Sequence, residues 1–236
     1  MADFDRALES LLTSWEPRLG RPTCGPGCDR CCRRMTVLMS SAEGLDLLAH
    51  PVAQARLDAL RARAADLPHE PSPRQALDAL LDQGPCVFLE NHRCGVHAAR
   101  PDGCRAAYVW HEPWFCGRPD YDQCVPAELN ALRVARVYER MLAEVEAGRK
   151  PFWGFILPVT ALLAEHAEAY RGGADLEPLV QPHWLQGELV EFPDAARLRR
   201  EQAEHRRIFQ DERSPLGSPR ADDVASRDDL AAIPLY

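Results

Sequence analysis

Apolar residues recur at helical spacing over three stretches of the chain. Over residues 1–18 they form one face of an amphipathic helix that ends near Pro17 and is expected to pack against another element. Residues 127–147 and 153–171 show the same period, and Gly172-Gly173 ends the second stretch in a left-handed cap. The dominant secondary structure is therefore predicted to be helical.

Shorter helical patterns lie in the middle and near the end of the chain. Residues 52–67 and 73–83 predict two helices joined by a link rich in proline and histidine. Residues 194–212 predict a further helix with Asp194 as its N-cap. Because most of its positions are charged, this last helix is expected on the surface.

Short β-favourable segments interrupt the helices. The run MTVLM at 35–39 predicts a strand, after which Ser40 or Ser41 can cap a helix. CVFLENHRCGVH predicts a hairpin of two short strands around Glu90-Asn91-His92. Residues 101–126 show no clear period and predict a loop. The expected fold class is mainly α with a small irregular β-hairpin and loop region, that is, a helix-rich α+β protein.

Composition divides the chain into predicted regions. Cysteines are confined to one of them, and the stretch SPLGSPRADDVASRDD has the composition of a disordered tail. The predicted regions are an N-terminal amphipathic helix at 1–20, a cysteine-cluster domain at 21–126, a C-terminal helical region at 127–213 and a disordered tail at 214–236.

Charge and hydropathy exclude several classes of partner. The net charge is −8 and basic residues are scattered among acidic ones, so a nucleic-acid partner is not expected. The acidic N-terminus does not have the pattern of a secretory signal. The longest uncharged apolar run, 152–164, is shorter than the roughly 20 residues of a membrane-spanning helix. We therefore expect a cytoplasmic protein without a membrane partner.

All nine cysteines lie between residues 24 and 124. In a reducing compartment such a cluster favours metal binding or thiol chemistry over disulfides. Cys116 and Cys124 are equally well interpreted as ordinary buried residues. The other cysteines lie at close spacing in loops rich in glycine and proline, and they are the predicted metal ligands: Cys24, Cys28, Cys31, Cys32, Cys86, Cys94 and Cys104.

The stretch CGPGCDRCC places four thiols within nine residues. Gly25-Pro26-Gly27 cannot continue a helix, so this loop is predicted to turn back and present amides that donate to thiolates or cluster sulfides. Cys24, Cys28 and Cys31 have the spacing by which radical S-adenosylmethionine enzymes hold three corners of a four-iron cluster. The helical pattern does not fit the barrel of those enzymes. Cys32 either faces a second metal or binds with the others because the chain there is helical.

A zinc site competes with an iron–sulfur cluster. Zinc takes four ligands, commonly as two close pairs, and Cys28 with Cys31 can combine with two of the later cysteines. Seven cysteines are too many for one such site and one too few for two. Histidines can fill the gap, although each is more often a loop or surface residue. The histidines of the cysteine region are His92, His97 and His111.

The two cysteine motifs in this order resemble the YkgJ-like cysteine-cluster family. The family pattern is C-x3-C-x2-C-C, then C-P-F-L, then C-x-I-Y-x-x-R-P-x-x-C-R. This chain has CGPGCDRCC and CVFLENHRCGVHAARPDGCR, with Val87 in place of proline and His97 where tyrosine is common. The resemblance covers about residues 21–110. The family is described as a zinc- or iron-chelating domain that is shared with the flagellin lysine N-methylases.

The resemblance implies a metal site, and more specifically an iron–sulfur cluster of the 4Fe–4S type, with ligands from the seven cysteines. Arg100 and Arg105 flank the last thiols, where they can neutralise cluster charge, receive an anionic ligand or form ordinary ion pairs. The roles that follow are electron transfer, redox sensing or methyl transfer, with a redox or protein partner. A zinc-binding structural module and a thiol-based metal store are the alternatives, and neither a reaction nor a catalytic residue is specified.

Overall fold

The computed structural model describes residues 2–22, 24, 27–34, 37–67, 73–108, 127–180 and 190–210. Helices predominate there and the strands are short and antiparallel, which confirms the predicted helix-rich class. The helices are α1 (Ala2–Leu19), α2 (Arg30–Arg34), α3 (Ser41–Leu48), α4 (Pro51–Gln54), α5 (Leu57–Ala65), α6 (Pro73–Asp82), α7 (Asp102–Arg105), α8 (Ala127–Glu146), α9 (Ile156–Arg171), α10 (Glu177–Val180) and α11 (Ala195–Gln210), with a 3₁₀ turn at His97–Ala99. The strands are β1 (Leu38–Ser40), β2 (Leu89–Glu90), β3 (Arg93–Cys94), β4 (Trp153–Phe155) and β5 (Val190–Glu191).

Helix α1 buries the apolar face that its sequence predicts. Phe4, Leu8 and Trp15 are buried together with Ala106, which follows α7. Cys24 and Cys31 are among the partly buried residues that pack against this cluster. The N-terminal helix therefore covers one side of the cysteine region.

A capping box at Ser40 begins helix α3 directly after strand β1. Ser40 is one of the two serines that the sequence predicts as the cap of this helix. The Glu43 N–H donates to Ser40 Oγ at 3.4 Å, and the Glu43 carboxylate accepts from the Ser40 N–H at 2.7 Å. On the strand side, β1 pairs with β4, and β4 pairs with β5, in a three-stranded antiparallel sheet. The prediction that 153–155 begins a helix is wrong, because Gly154 pairs with Met39 in this sheet.

The main core lies between α3, α5, α9 and the sheet. At Gly44 an added Cβ would come within 2.5 Å of Leu163 Cδ1, so this glycine allows α3 to approach α9 closely. Residues from both sides of position 126 share this core, including residues next to the cysteines. Its members include Met39, Leu47, Leu60, Phe88, Val96, Phe152, Val159, Leu163, Tyr170 and Leu176.

Helices α8 and α11 form a smaller cluster. Val137 and Met141 of α8 pack with Leu198 of α11, which is fully buried although α11 is mostly charged. The predicted N-cap of α11 is confirmed, since the Arg197 N–H donates to Asp194 Oδ1 at 2.7 Å. The predicted surface helix therefore presents one apolar side to α8.

A buried polar network joins α3, α8 and α9. Ser41 Oγ and Tyr170 Oη each donate to Glu144 Oε2 at 2.5 Å, and Arg149 Nε donates to Glu144 Oε1 at 2.9 Å. Because the buried carboxylate is fully provided with donors, the network stabilises the contact between these helices.

Some predictions fall outside the described residues. They concern the tail at 214–236, most of the loop at 101–126, and with that loop Cys116, Cys124 and His111. Among the described residues, no helix has both the length and the apolar character needed to cross a bilayer.

Candidate metal site

One cavity collects every cysteine of the two motifs. Its volume is about 830 Å³, and it lies between the cluster under α1 and the main core. Cys86 and Cys94 pack against the main core, whereas Cys24 and Cys31 pack toward α1. The cysteines that line it are Cys24, Cys28, Cys31, Cys32, Cys86, Cys94 and Cys104.

Helix α2 carries the adjacent pair Cys31 and Cys32. Successive residues of a helix are rotated by about 100°, so both side chains can border one cavity. The chain at Cys32 is helical, and Cys32 lines the same cavity as Cys31. The Cys86 N–H donates to the Cys32 carbonyl oxygen at 2.6 Å, which joins the first cysteine motif to the second.

The predicted hairpin presents Cys94. Strands β2 and β3 are antiparallel, with Leu89 opposite Cys94. Asn91 and His92 occupy the turn with φ of 47° and 62°, the left-handed backbone that a two-residue type I′ turn requires. The hairpin therefore holds Cys94 at the end of a short, fixed strand.

Helix α7 presents Cys104 to the same cavity. The Cys104 N–H donates to the Pro101 carbonyl oxygen at 2.9 Å in the turn that begins this helix. A Cβ at Gly103 would come within 2.9 Å of Val37 Cγ1 and 3.0 Å of the Leu38 carbonyl oxygen. Glycine at this position therefore lets α7 lie directly against β1, and this close approach sets the position of Cys104.

An ionic cluster around Asp102 anchors α7 to α3 and α8. Asp102 is only 2% exposed, and its N–H donates to Glu43 Oε1 at 2.8 Å. Its Oδ2 lies 3.3 Å from Arg140 Nε and 3.9 Å from Arg136 Nε, and Arg105 approaches Oδ1 at 3.9 Å. Burial raises the pKa of Asp102, against the opposing effect of Arg140. Sequence reasoning missed this cluster because its members are far apart in the chain and match no motif.

Four of the thiols are close enough for the charge of each thiolate to raise the pKa of the others. We call these four the inner quartet: Cys31, Cys86, Cys94 and Cys104. Burial is the main cause that raises the pKa of Cys86 to about 11 and that also raises the pKa of Cys94 and Cys104. For Cys31, the hydrogen bond with Cys32 raises the pKa first, and burial adds to it. A thiolate-binding cation would offset this mutual repulsion, so the donor set fits a metal that takes sulfur ligands.

The remaining cysteines, Cys24, Cys28 and Cys32, form an outer trio. Cys24 Sγ donates to the Ala107 carbonyl oxygen at 3.6 Å, and Cys28 is exposed to solvent. Within the described ranges, no three His, Cys, Asp or Glu side chains are arranged as ligands of one metal ion. The thiols therefore share a cavity without forming a closed ligand set in this structure.

Residues 23–124, which contain both cysteine motifs, match the model of a known family described as a "putative zinc- or iron-chelating domain". The match covers less than half of the chain, and we call the matched segment, residues 23–124, the CxxCxxCC domain. This match confirms the resemblance deduced from the order of the cysteine motifs and supports metal binding by this domain. No curated protein and no solved structure matches the chain. Helices α8 to α11 lie beyond the matched segment, although α8 contacts α7 through the Asp102 cluster.

Arg100 of the CxxCxxCC domain lines the cavity beside the inner quartet. Burial raises the pKa of Cys94 and Cys104, and the Arg100 guanidinium lowers it by a smaller amount. The same guanidinium is the main cause that lowers the pKa of His97. The Nε atom is buried and has no hydrogen-bond partner among the described residues. Arg100 therefore contributes a positive charge to the cavity, and no carboxylate of the described residues forms an ion pair with it.

Arg105, the second predicted arginine, holds the backbone of the CxxCxxCC domain together. Its guanidinium donates to the carbonyl oxygens of Ala98 at 2.7 Å and Arg100 at 3.1 Å. It also pairs with Asp5 of α1 at 3.0 Å. This arginine links the 3₁₀ turn to the N-terminal helix, so the ion-pair interpretation agrees with its contacts.

The predicted histidines lie at the edge of the cavity. His92 Nδ1 is 2.8 Å from Asp29 Oδ2, and Arg33 Nε donates to the same oxygen at 2.8 Å. The Arg33 hydrogen bond is the main cause that lowers the pKa of Asp29. This contact ties the first cysteine motif to the hairpin turn. His97 also lines the cavity and is exposed.

Proposed function

We propose that the CxxCxxCC domain of this chain holds an iron–sulfur cluster of the 4Fe–4S type. The observation that carries the proposal is the shared cavity: separate segments deliver the four thiols of the inner quartet, Cys31, Cys86, Cys94 and Cys104, to it. A four-iron cluster takes four cysteine thiolates from the protein. We assign the quartet as its ligands.

The number of cysteines favours a cluster over a single zinc ion. One structural zinc site uses four ligands, and the cavity is lined by seven cysteines. The three cysteines of the outer trio would then line the cavity around the cluster without binding it. The resemblance to the YkgJ-like family points in the same direction.

The proposed role is one-electron exchange, either as electron transfer to a redox partner or as redox sensing. The bound cluster supplies the electron-accepting group, and the protein supplies ligands, charge and a partly enclosed cavity. Cys28 and His92 are exposed at the cavity, which supports access for a small oxidant or a partner protein. Helix α1 packs its buried Phe4 and Trp15 against the part of the cysteine region that contains Cys24 and Cys31.

Anaerobic purification followed by a visible spectrum tests the proposal. We expect brown protein with broad visible absorption and with iron and acid-labile sulfide in equal amounts. The Cys31→Ser variant, purified in the same way, should lose both the colour and the sulfide. Colourless wild-type protein that carries zinc after anaerobic handling would contradict the iron–sulfur proposal.

The second candidate is a structural zinc site. The family description names zinc, and the inner quartet offers the four thiolates of a tetrahedral site. In that case the metal ties the cysteine loop, the hairpin and α7 together so that the helices can recognise a partner. One zinc per chain, no visible absorption and no acid-labile sulfide are the expected results.

A further inference from the structure

We infer that Arg100 compensates the negative charge of the metal–thiolate centre and thereby raises its reduction potential. The inference rests on the proposed function, and it assigns a charge-tuning role to one residue of the cavity wall. It goes beyond ligation because Arg100 is not a ligand.

The first observation is the environment of the Arg100 side chain. Its Nε is buried without an acceptor, and the described part of the chain contains no ion pair of Arg100. Arg100 is half-buried, and burying its Nε without an acceptor is costly, so the position indicates that an acceptor or anion belongs beside this nitrogen. The cavity wall beside Arg100 carries Cys94 and Cys104.

The second observation is that other charges of the cavity wall are already engaged. Arg105 donates to backbone carbonyl oxygens and pairs with Asp5, and Arg63 donates to the Pro85 carbonyl oxygen. The carboxylate of Asp29 is paired with Arg33. Arg93 also lines the cavity but has an exposed side chain, whereas Arg100 has a buried Nε without an acceptor beside the inner quartet.

The electrostatic consequence follows from the charge of the centre. Four thiolates give the ligated cluster an overall negative charge, and uptake of one electron from an external donor makes that charge larger. A cation nearby stabilises the reduced state more than the oxidised state, because the interaction grows with the charge. Charge close to the cluster is one of the factors that set its reduction potential.

A redox titration of the anaerobically purified full chain tests this role. Arg100→Gln removes the charge, Arg100→Lys keeps it, and Arg93→Gln is the matched control, since Arg93 lines the same cavity with an exposed side chain. At the wild-type midpoint, we expect Arg100→Gln to increase the ratio of oxidised to reduced cluster at least 10-fold, a downward shift of about 59 mV for a one-electron couple. Arg100→Lys and Arg93→Gln should each shift the midpoint potential by less than half as much.

An unchanged midpoint in Arg100→Gln with full iron content overturns the inference, and so does a shift of equal size in Arg100→Lys. Loss of iron from Arg100→Gln but not from Arg100→Lys supports the inference, because lysine keeps the positive charge and glutamine does not. Loss of iron in both variants overturns it. Wild-type protein without iron contradicts the proposed function instead. Arg100 is then tested by zinc release to a chelator, which should be faster in Arg100→Gln than in Arg100→Lys, and equal rates overturn the inference.

Discussion

The Cys86 N–H donates a hydrogen bond to the carbonyl oxygen of Cys32 at 2.6 Å. This bond connects the loop of the second cysteine motif directly to the helix of the first. It brings Cys86 to the cavity that Cys31 lines from the other motif. The candidate site is therefore formed between two distant segments, and neither segment can form it alone.

The neighbours Cys31 and Cys32 provide a matched pair of variants. We expect Cys31→Ser to abolish metal binding, because Cys31 interacts with every other thiol of the inner quartet. Cys32→Ser should keep the wild-type metal content. Both variants change one sulfur to oxygen in the same helix, and metal analysis with a visible spectrum measures the difference.

Loss of half of the metal in Cys32→Ser would show two sites and contradict the assignment of Cys32 to the outer trio. Complete loss in both variants would place Cys32 among the ligands. A circular dichroism spectrum confirms that each variant is folded before the metal is compared.

Gly103→Ala tests the contact that positions Cys104. The added methyl group would meet the Leu38 carbonyl oxygen at 3.0 Å, and this oxygen belongs to a strand that cannot move freely. Overpacking costs about 1–3 kcal/mol, against a helix-propensity gain of about 1 kcal/mol. We expect lower stability in a denaturant titration and metal affinity reduced roughly 10-fold. Unchanged affinity would show that α7 need not lie against β1.

Asp102→Asn tests the ionic cluster that anchors α7 to α8. The change removes the buried counterion of Arg140 and Arg136, which keep Asp46 and Glu139 as exposed partners, so the free energy of unfolding should fall by about 1–3 kcal/mol. Asp58→Asn is the control, because Asp58 is fully exposed and solvent screens its pair with Arg61, so its loss should leave the stability almost unchanged. Equal effects in a denaturant titration would contradict the importance of the buried cluster.

Removing the metal tests whether it contributes to folding. The inner quartet comes from separate segments, and a bound metal would hold α2, β3 and α7 together. We therefore expect chelation to lower the thermal midpoint of the wild-type protein by several degrees, because metal-binding free energy adds to folding free energy. Cys31→Ser should show no further decrease with chelator. Equal midpoints of metal-bound and metal-free wild type would contradict this expectation.

Tyr170→Phe separates stability from metal binding. The variant loses the hydroxyl that donates to Glu144, which should cost about 1–3 kcal/mol of unfolding free energy. Neither residue lines the cavity, so the metal content should stay at the wild-type value. Reduced metal content in a folded variant would show that the main core and the site are coupled.

Local patterns predicted many of the individual elements. The apolar faces of α1 and α8, the Asp194 cap and the Asn91 turn all depend on residues that are near one another in sequence. Such signals are complete within one helix or one turn, so they can be recognised without the rest of the fold.

Strand β4 shows where local patterns fail. Residues 153–155 are too short to display a period, and their conformation depends on pairing with β1 and β5. The interaction of Asp102 with Glu43 and Arg140 is equally invisible in the sequence, because three separate elements supply its members.

The sequence by itself determined the chemistry of the site: many thiols in two ordered motifs, with Arg100 and Arg105 beside the last of them. Only the tertiary structure decided which thiols lie together, because Cys31, Cys86, Cys94 and Cys104 are distributed over separate segments. It also distinguished the arginines, giving Arg105 its backbone partners and leaving Arg100 Nε buried without one. The physical reason is that ligand types are properties of single residues, whereas proximity, burial and unpaired charge arise only when distant segments pack.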